Sequence, residues 1–457
     1  MFETILNLSF YTFLAICFVL VIYYIPRLRG WFASFKKQKR LINDKKNNIA
    51  VLIPARNESK VIGQLLNSIN NQTYPKEHFG VHIIIKESND PTIELAKEVN
   101  GRIHIASNQT CKGDALDVCL KQLLSENPDQ YDAYLIIDAD CVLTDTFLEE
   151  MNNALASGKQ VIQGKKIVKN YHIKNKKANS LSSSCNGLIW TIIDDMGNRF
   201  KADNNITQMT IGTGLMLRSD VIKMLGGWPY KKTLTEDIEL MFDCMVKKIS
   251  TFYYSYAVLY MEESTSLKVT NKRRTRWLTG VVDSKRLYNK QVKLAAKSKS
   301  KEDKRNKYYV LALWPIFYYI GTCVVYSALQ LITTVVLLIL KNSLWLKSLM
   351  YAGIAIGIIY VSFMFLTLMC LIVERKNMPI SIFRKIILLF AHPIFYMGYI
   401  PIISKALFTK KNRGWEVIDR IDYKIEAIQK SEVDEAEDIE VERISDDEGE
   451  YVCLLQD

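Results

Sequence analysis

The sequence lacks the cysteine patterns of a disulfide-stabilised or zinc-binding protein. Its nine cysteines are odd in number, scattered over 457 residues, and include no Cys-x-x-Cys pair. This argues against a disulfide framework and a zinc site, and favours a reducing, cytosolic location for the middle of the chain. Helix-turn-helix, zinc-finger and aromatic RNA-binding signatures are missing too, so we expect no nucleic acid as a partner.

The first apolar stretch, residues 5–25, lacks the basic start and the small-residue cleavage site of a signal peptide. Its length is close to the roughly 20 residues that a spanning helix needs, so we interpret residues 1–30 as an uncleaved transmembrane anchor. Basic residues follow it directly: Arg27, Arg29, Lys36, Lys37, Lys39 and Arg40. By the positive-inside rule, they predict that the next segment is cytosolic.

Charged and apolar residues are both unevenly distributed. The formal net charge is +12 even though residues 432–450 are strongly acidic. The surplus of Lys and Arg outside this tail suits a membrane surface or a phosphate-bearing substrate. Apolar residues concentrate near the two ends, which predicts a protein of the lipid bilayer with a soluble middle.

Residues 45–280 alternate short apolar runs with amphipathic stretches, as a sheet with crossover helices would. The runs at residues 50–54, 81–85, 103–106 and 134–137 are predicted strands. The pattern therefore predicts an α/β domain. Ligands bind at the carboxyl ends of the strands in such sheets, so functional residues should follow these runs.

The last of these runs ends in two carboxylates, Asp138 and Asp140. Residues i and i+2 of an extended backbone point to the same side, so both can face one hard cation. An isolated Asp-x-Asp is more often a solvated turn, and the motif alone is weak.

Two further motifs lie downstream. Glu236 and Asp237 follow Thr235 and precede an apolar periodic run, which predicts a helix N-terminus that stabilises carboxylates; a simple helix cap is the alternative. Residues 273–277 place three arginines beside a tryptophan, and a basic membrane-proximal patch is the alternative there.

The C-terminal part begins with residues 281–307, a basic segment interpreted as helices on an anionic membrane face or as a solvated linker. Hydrophobic stretches follow at residues 308–340, 344–373 and 386–408, within a predicted membrane region of residues 308–410. Three full spans would export the tail, although its basic start favours the cytosol. Either residues 386–408 are re-entrant, or the first stretch crosses twice or begins in the interface.

The tail, residues 411–457, has too few apolar residues to form a core, and we expect it to be disordered. Its role is left open, and regulation or partner binding are both compatible with its composition.

The order of motifs resembles the processive family-2 membrane glycosyltransferases, which include cellulose, hyaluronan and poly-N-acetylglucosamine synthases. The motifs are Pro-Ala-Arg-Asn-Glu from residue 54, Lys-Gly-x-Ala-Leu from 112, Asp-Ala-Asp from 138, Thr-Glu-Asp from 235 and Arg-x-x-Arg-Trp from 273. Each is weak alone, but their order and spacing over residues 51–277 are specific. The resemblance implies a GT-A (Rossmann-like) cytosolic catalytic domain inserted between an N-terminal transmembrane helix and a C-terminal helical membrane region.

The resemblance also implies an activity: inverting transfer from a nucleotide-sugar donor, usually a UDP-sugar, to a growing polysaccharide, with Mg²⁺ or Mn²⁺ as cofactor. The protein would be a multi-pass protein of the plasma membrane, and by analogy with the family the polymer would pass through its own helices. Transfer of one sugar to a lipid-linked acceptor is the first alternative. A membrane scaffold or channel with an inactive ligand-binding domain is the second.

Residue roles follow from the resemblance. The metal would be held by Asp138 and Asp140, Asp237 would be the general base, and Trp277 would pack against the acceptor sugar. The nucleotide and diphosphate would be bound by Glu58, Glu87, Asp90, Lys112, Arg273 and Arg276. The acceptor side of the pocket would be lined by Gly212, Thr213, Gly214 and Glu236.

Two positions depart from the family pattern. Arg273 stands where the family has glutamine, so a cation replaces a neutral amide near the diphosphate. The second strand usually ends in paired aspartates, one of which binds uracil, whereas Lys86 and Glu87 stand there in this chain. Glu87 or Asp90 are the candidates to substitute, and the identity of the base is less secure than the sugar chemistry.

Overall fold

The computed structural model describes residues 1–173, 175, 177–295, 297 and 300–408, together with the backbone of Val441–Arg443. Apart from that short strand, the acidic tail and its expected disorder lie outside the described residues.

The strands are β1 (Arg40–Ile42), β2 (Ile49–Pro54), β3 (Phe79–Ile85), β4 (Arg102–Ile105), β5 (Ala133–Ile136), β6 (Val142–Leu143), β7 (Val161–Val168), β8 (Leu215–Arg218), β9 (Thr251–Met261) and β10 (Val441–Arg443). The helices are α1 (Phe2–Tyr24), α2 (Arg29–Ala33), α3 (Ile62–Asn70), α4 (Thr92–Ala96), α5 (Lys112–Glu126), α6 (Phe147–Leu155), α7 (Leu181–Ile193), α8 (Arg199–Asp203), α9 (Ser219–Leu225), α10 (Glu236–Lys247), α11 (Leu267–Ala295), α12 (Lys301–Val310), α13 (Leu313–Ile339), α14 (Trp345–Val373), α15 (Ile382–Met397) and α16 (Tyr399–Phe408).

The central sheet has eight strands in the order β4-β3-β2-β5-β8-β7-β9-β6, and β1 pairs separately with β10. Strands β4, β3, β2 and β5 are parallel, while β8 runs antiparallel to both β5 and β7. The four predicted strands are confirmed to within a few residues at their ends. Because these four are parallel, their carboxyl ends and the motif-bearing loops meet at one edge of the sheet.

Apolar runs rather than alternating patterns form these strands because the sheet is covered on both faces. Helices α5, α9 and α10 pack on one face, and α3, α6 and α7 pack on the other. The second face also contacts the membrane region, since Cys370 of α14 and Leu388 of α15 are fully buried in the same cluster. Each fully buried Leu stabilises the fold by about 1.5–3 kcal/mol, so the two parts share a substantial core.

Four helical segments are long and apolar enough to cross a membrane: Phe2–Ala33, Leu313–Ile339, Trp345–Val373 and Ile382–Phe408. This confirms the expected apolar helices on both sides of the α/β domain. The helices α1, α13 and α14 bury a common apolar cluster, in which Phe10 stacks on Tyr351 at 4.1 Å and Phe13 on Tyr326 at 4.2 Å between ring centroids.

The last of these segments is divided into α15 and α16, and both of its ends contact the α/β side of the molecule. Arg384, near its start, donates to the Asn179 carbonyl at 3.2 Å. Leu407, near its end, accepts from Arg286 of α11 at 2.6 Å. This geometry favours the re-entrant alternative, because a segment that crossed the bilayer would separate its two ends.

Helix α11 is continuous from Leu267 to Ala295, so the expected domain boundary at residue 281 lies inside a helix. The first C-terminal hydrophobic stretch, residues 308–340, is divided between the end of α12 and α13. It therefore begins before α13, the one helix of this stretch that is long and apolar enough to cross a membrane.

Candidate active site

The first residue of α5, Lys112, is the centre of a charged cluster at the carboxyl edge of the sheet. Its Nζ donates to Asp138 Oδ1 and to the Gly212 carbonyl, both at 2.5 Å, and lies 3.9 Å from Glu236 Oε1. Burial by itself would lower the pKa of Lys112, but the nearby carboxylates of Asp138 and Glu236 hold it above its ordinary value. The contacts thus unite motifs that are far apart in the sequence.

The two predicted metal ligands follow β5. The side chain of Asp138 is about one third exposed, and its backbone N–H donates to Thr213 Oγ1 at 3.0 Å. Asp140 is only 4% exposed. Carboxylate oxygens are the hard donors that Mg²⁺ and Mn²⁺ prefer, so the chemistry of these side chains fits such an ion.

Asp237 lies in the first turn of α10, as the sequence predicts. Its Oδ2 accepts from the Gly212 N–H at 3.0 Å, and its Oδ1 accepts from the Ile238 N–H at 2.8 Å. Burial, followed by the charge of Glu236, raises the pKa of Asp237 to about 7. A carboxylate with that pKa can exchange a proton near neutral pH, which is what a general base requires.

The loop of Gly212, Thr213 and Gly214 closes the cluster. A Cβ at Gly212 would lie 3.0 Å from Lys112 Nζ and 3.1 Å from Glu236 Oε1, so a side chain there would displace the charged groups by a few tenths of an ångström. Gln163 of β7 holds this loop, because its amide nitrogen donates to the Thr213 and Gly214 carbonyls at 2.8 and 3.0 Å. The sequence offers no signal for Gln163, one of several polar residues in β7.

A second group surrounds Trp277 on α11. The Trp277 ring contacts Trp190 edge-on at 5.8 Å between centroids, and the Arg273 guanidinium lies 5.0 Å from its ring centre. Glu263 is fully buried and accepts from Arg273 at 3.2 Å and from Trp190 Nε1 at 2.8 Å. Asn186 donates to the same carboxylate. Glu263 therefore orients the side chains of Arg273 and Trp190. The sequence analysis did not identify Glu263 as a site residue.

This arrangement gives Arg273 a partner inside the domain. Its predicted contact with a diphosphate, like that of the half-buried Arg276, stays a prediction.

Close packing between α11 and α10 connects the two groups. A Cβ at Gly280 would lie 2.5 Å from Thr235, the residue before Glu236. Ser284 shares a hydrogen bond of 2.9 Å with Thr233. The position of Trp277 relative to Asp237 is therefore fixed by direct contact between these helices.

The remaining predicted residues lie in loops at the same sheet edge. Asp90 is buried just before α4, and its Oδ1 accepts from the Thr92 N–H at 2.9 Å. Glu87 is exposed just after β3. The Glu58 carbonyl, after β2, accepts from the Val61 N–H at 3.0 Å. Nucleotide contacts of these three residues stay predictions.

A buried chain of hydrogen bonds links β3, β4 and α5 at the side of the sheet that β4 forms. His82 contacts His104 at 3.0 Å and the Tyr131 hydroxyl at 2.9 Å, and His104 contacts Gln122 at 2.9 Å. With Cys119, the two histidines form a group that has metal-ligand chemistry. Burial lowers the pKa of His82 to about 3, so its ring is neutral at physiological pH. The ring nitrogens of both histidines already have hydrogen-bond partners in this chain.

Comparison with known proteins places this geometry in a family. Residues 47–280, just over half of the chain, match the model described as glycosyltransferase like family 2. The probable glycosyltransferase YdaM of Bacillus subtilis (strain 168) is 26% identical over 292 residues, covering 60% of this chain and 66% of that protein. A beta-monoglucosyldiacylglycerol synthase of Trichormus variabilis is 26% identical over 241 residues, covering 51% and 48%. The chain thus spans about half to two thirds of these relatives.

Among solved structures, the mannosyltransferase PcManGT from Pyrobaculum calidifontis, in complex with GDP-Man and Mn²⁺, is similar. The sequence identity is 14% and the TM-score is 0.48, with 77% of this chain and 96% of that chain covered. The family match, on a domain whose motifs meet at one edge of a mixed sheet, identifies the protein as a GT-A-like member of glycosyltransferase family 2.

Proposed function

We propose that the protein is an inverting, metal-dependent glycosyltransferase of the cell membrane with a cytosolic catalytic domain. It would transfer a sugar from a nucleoside-diphosphate donor, with UDP-sugars as first choice, to an acceptor at the membrane. The observation that carries this proposal is the meeting of three motifs at the carboxyl edge of the sheet, where Lys112 donates to Asp138 and to the Gly212 carbonyl and the Gly212 N–H donates to Asp237.

In the proposed mechanism, Asp237 accepts the proton of the acceptor hydroxyl as that oxygen attacks the anomeric carbon. Hydrogen bonds from the backbone of Gly212 and Ile238 orient the carboxylate, so it is positioned before substrate arrives.

The reaction also requires stabilisation of the departing diphosphate, on the other side of the anomeric carbon from the acceptor. Asp138 and Asp140 would hold Mg²⁺ or Mn²⁺, which neutralises negative charge on the leaving group. Lys112 supplies a fixed cation at the same place, and Arg276 would supply a fork of donors suited to phosphate oxygens. Acceptor packing is assigned to Trp277, whose ring is held by Trp190.

We infer that a lipid-linked acceptor is the first candidate. Four helical segments are long and apolar enough to cross a membrane, and the relative from Trichormus variabilis is named for a glycolipid product. Extension of a polysaccharide, the expectation from the processive family, is the second candidate.

A donor screen tests the proposal. The full chain in lipid vesicles, with Mn²⁺, would be offered each common UDP-sugar while free UDP, glycolipid and high-mass carbohydrate are followed together. UDP release with one glycolipid supports the lipid acceptor, and a polymer ladder supports the processive alternative. No release of UDP from UDP-sugars, and no release of GDP from GDP-mannose offered in the same way, would contradict the proposal and favour an inactive scaffold.

The pH dependence of kcat/KM should follow the ionisation of the Asp237 carboxyl. Because its pKa is raised to about 7, the carboxyl is protonated below that pH and cannot accept a proton. We expect kcat/KM to rise about tenfold per pH unit up to pH 7 and to level off above it. The measurement is a profile from pH 5 to 9 at saturating Mn²⁺, and a flat profile across this range would contradict the assignment.

Gly280→Ala should lower kcat/KM by about 10²-fold, because a Cβ 2.5 Å from Thr235 would push α11 and Trp277 away from Asp237. Gly63→Ala is the matched control, since Gly63 also lies in a helix but has open space around it. Unfolding midpoints of both variants would be measured beside the kinetics. Wild-type kinetics in Gly280→Ala would show that this contact does not position the site.

A further inference from the structure

A cavity of about 580 Å³ lies where the ends of α1 and α13 meet α11 and α12. Four cationic side chains line it: Arg27, Lys285, Lys304 and Lys307. Among the described residues, no carboxylate contributes to its lining. The cavity shares no lining residue with the candidate active site.

Aromatic rings hold two of these cations. The Arg27 guanidinium lies 3.4 Å from the ring centre of Tyr308 and donates to the carbonyls of Tyr308 and Tyr23. Lys285 Nζ lies 3.5 Å from the ring centre of Trp314. These contacts use ring faces and carbonyl oxygens, which carry no net charge, so they do not neutralise Arg27 or Lys285.

The opposite side of the cavity is apolar, with Leu20, Leu311 and Pro315 in its lining. Leu20 belongs to α1 and Pro315 to α13, both of which continue into apolar segments long enough to cross a membrane. Cations and aromatic rings at the cytosolic ends of such helices coincide with the headgroup level of a bilayer.

Arg27 is buried, Lys285 and Lys307 are half-buried, and Lys304 is exposed. Burying like charges together is costly unless an anion neutralises them. Burial and the charge of Lys293 already lower the pKa of Lys285, a sign of this cost. An occupant that is anionic at one end and apolar at the other would satisfy both sides of the cavity.

We propose that this cavity binds the phosphate headgroup of an anionic membrane phospholipid, with the acyl chains lying along α1 and α13. A free phosphate would satisfy the cations but would leave the apolar side open. The site is separate from sugar transfer, and its test does not depend on enzymatic activity.

The first experiment compares lipid retention by variants of the full chain. The protein would be purified in neutral detergent, incubated with phosphatidylglycerol or phosphatidylcholine, and examined by native mass spectrometry. The cavity variant is Lys304→Gln with Lys307→Gln. The matched control is Lys290→Gln with Lys301→Gln, which removes the same charge from exposed positions on α11 and α12.

We expect the wild type and the control to retain phosphatidylglycerol in preference to phosphatidylcholine, and the cavity variant to bind it about 25-fold more weakly. The magnitude follows from about fivefold in affinity for each lysine near an anionic headgroup. Equal losses in both variants would overturn the proposal, because general surface charge would then explain binding. Complete displacement by millimolar inorganic phosphate would overturn it in favour of a free-anion site.

A second measurement, fluorescence quenching by brominated lipids, does not depend on the lysine variants. Brominated phosphatidylglycerol should quench part of the tryptophan fluorescence, and Trp314→Phe should remove that part. Brominated phosphatidylcholine should quench less. Quenching that is equal for the two lipids, or unchanged in Trp314→Phe, would overturn the proposal even if the lysine variant failed to fold.

Discussion

Asp237→Asn should reduce sugar transfer by about 10²–10⁴-fold, the range that general-base catalysis contributes. Asparagine keeps the shape of the side chain and can accept from the Gly212 N–H, but its amide cannot take the acceptor proton. The rate would be measured as nucleotide release in vesicles with the donor identified by the screen. KM for the donor should change little, because the base acts on the acceptor.

Asp129→Asn is the control for this variant. Asp129 is exposed, pairs with Lys223 at 2.5 Å, and precedes β5, so it lies at the opposite edge of the sheet. The control should keep wild-type activity. Wild-type turnover in Asp237→Asn would refute the assignment of the base, whereas loss of activity in both variants would point to a general effect on folding.

Asp140→Asn should lower activity by about 10³-fold, since an ion that neutralises the diphosphate is worth several kcal/mol in the transition state. The substitution is nearly isosteric at a position that is only 4% exposed, so the fold should survive. Mn²⁺ binding, followed by electron paramagnetic resonance with no substrate present, should weaken in parallel. Chelation should abolish the activity of the wild type.

Asp220→Asn provides the matched control for metal binding. Asp220 pairs with Arg218 at the end of β8, and the antiparallel pairing puts that end opposite the start of β5. Its loss should change neither Mn²⁺ binding nor activity. Unchanged Mn²⁺ binding in Asp140→Asn would show that the ion, if used, is held elsewhere.

Much of the α/β domain could be predicted because its signals are local. Buried parallel strands require continuous apolar runs, and the loops after them carry the polar motifs, so β2, β3 and β5 and the edge where Asp138 lies followed from pattern. The turn before Asp237 was also readable, because carboxylates are favoured in the first turn of a helix.

Other features left no local signal. Glu263 and Gln163 have roles that depend on partners distant in the sequence, such as Arg273, 10 positions from Glu263, and Thr213, 50 positions from Gln163. Helix α11 was divided at residue 281 because its charged sequence hides helical periodicity, although the backbone is continuous. Hydropathy gave no answer for residues 386–408, since length and composition do not distinguish a span from a re-entrant segment.

The sequence by itself determined the family, the α/β class and the identity of the motif residues, because these rest on the order of short patterns and on the burial of apolar runs. Only the tertiary structure decided how the motifs meet. Lys112 contacts Asp138, Gly280 packs on Thr235, and the end of α16 returns to Arg286. Such contacts depend on the three-dimensional positions of distant segments, which no local pattern specifies.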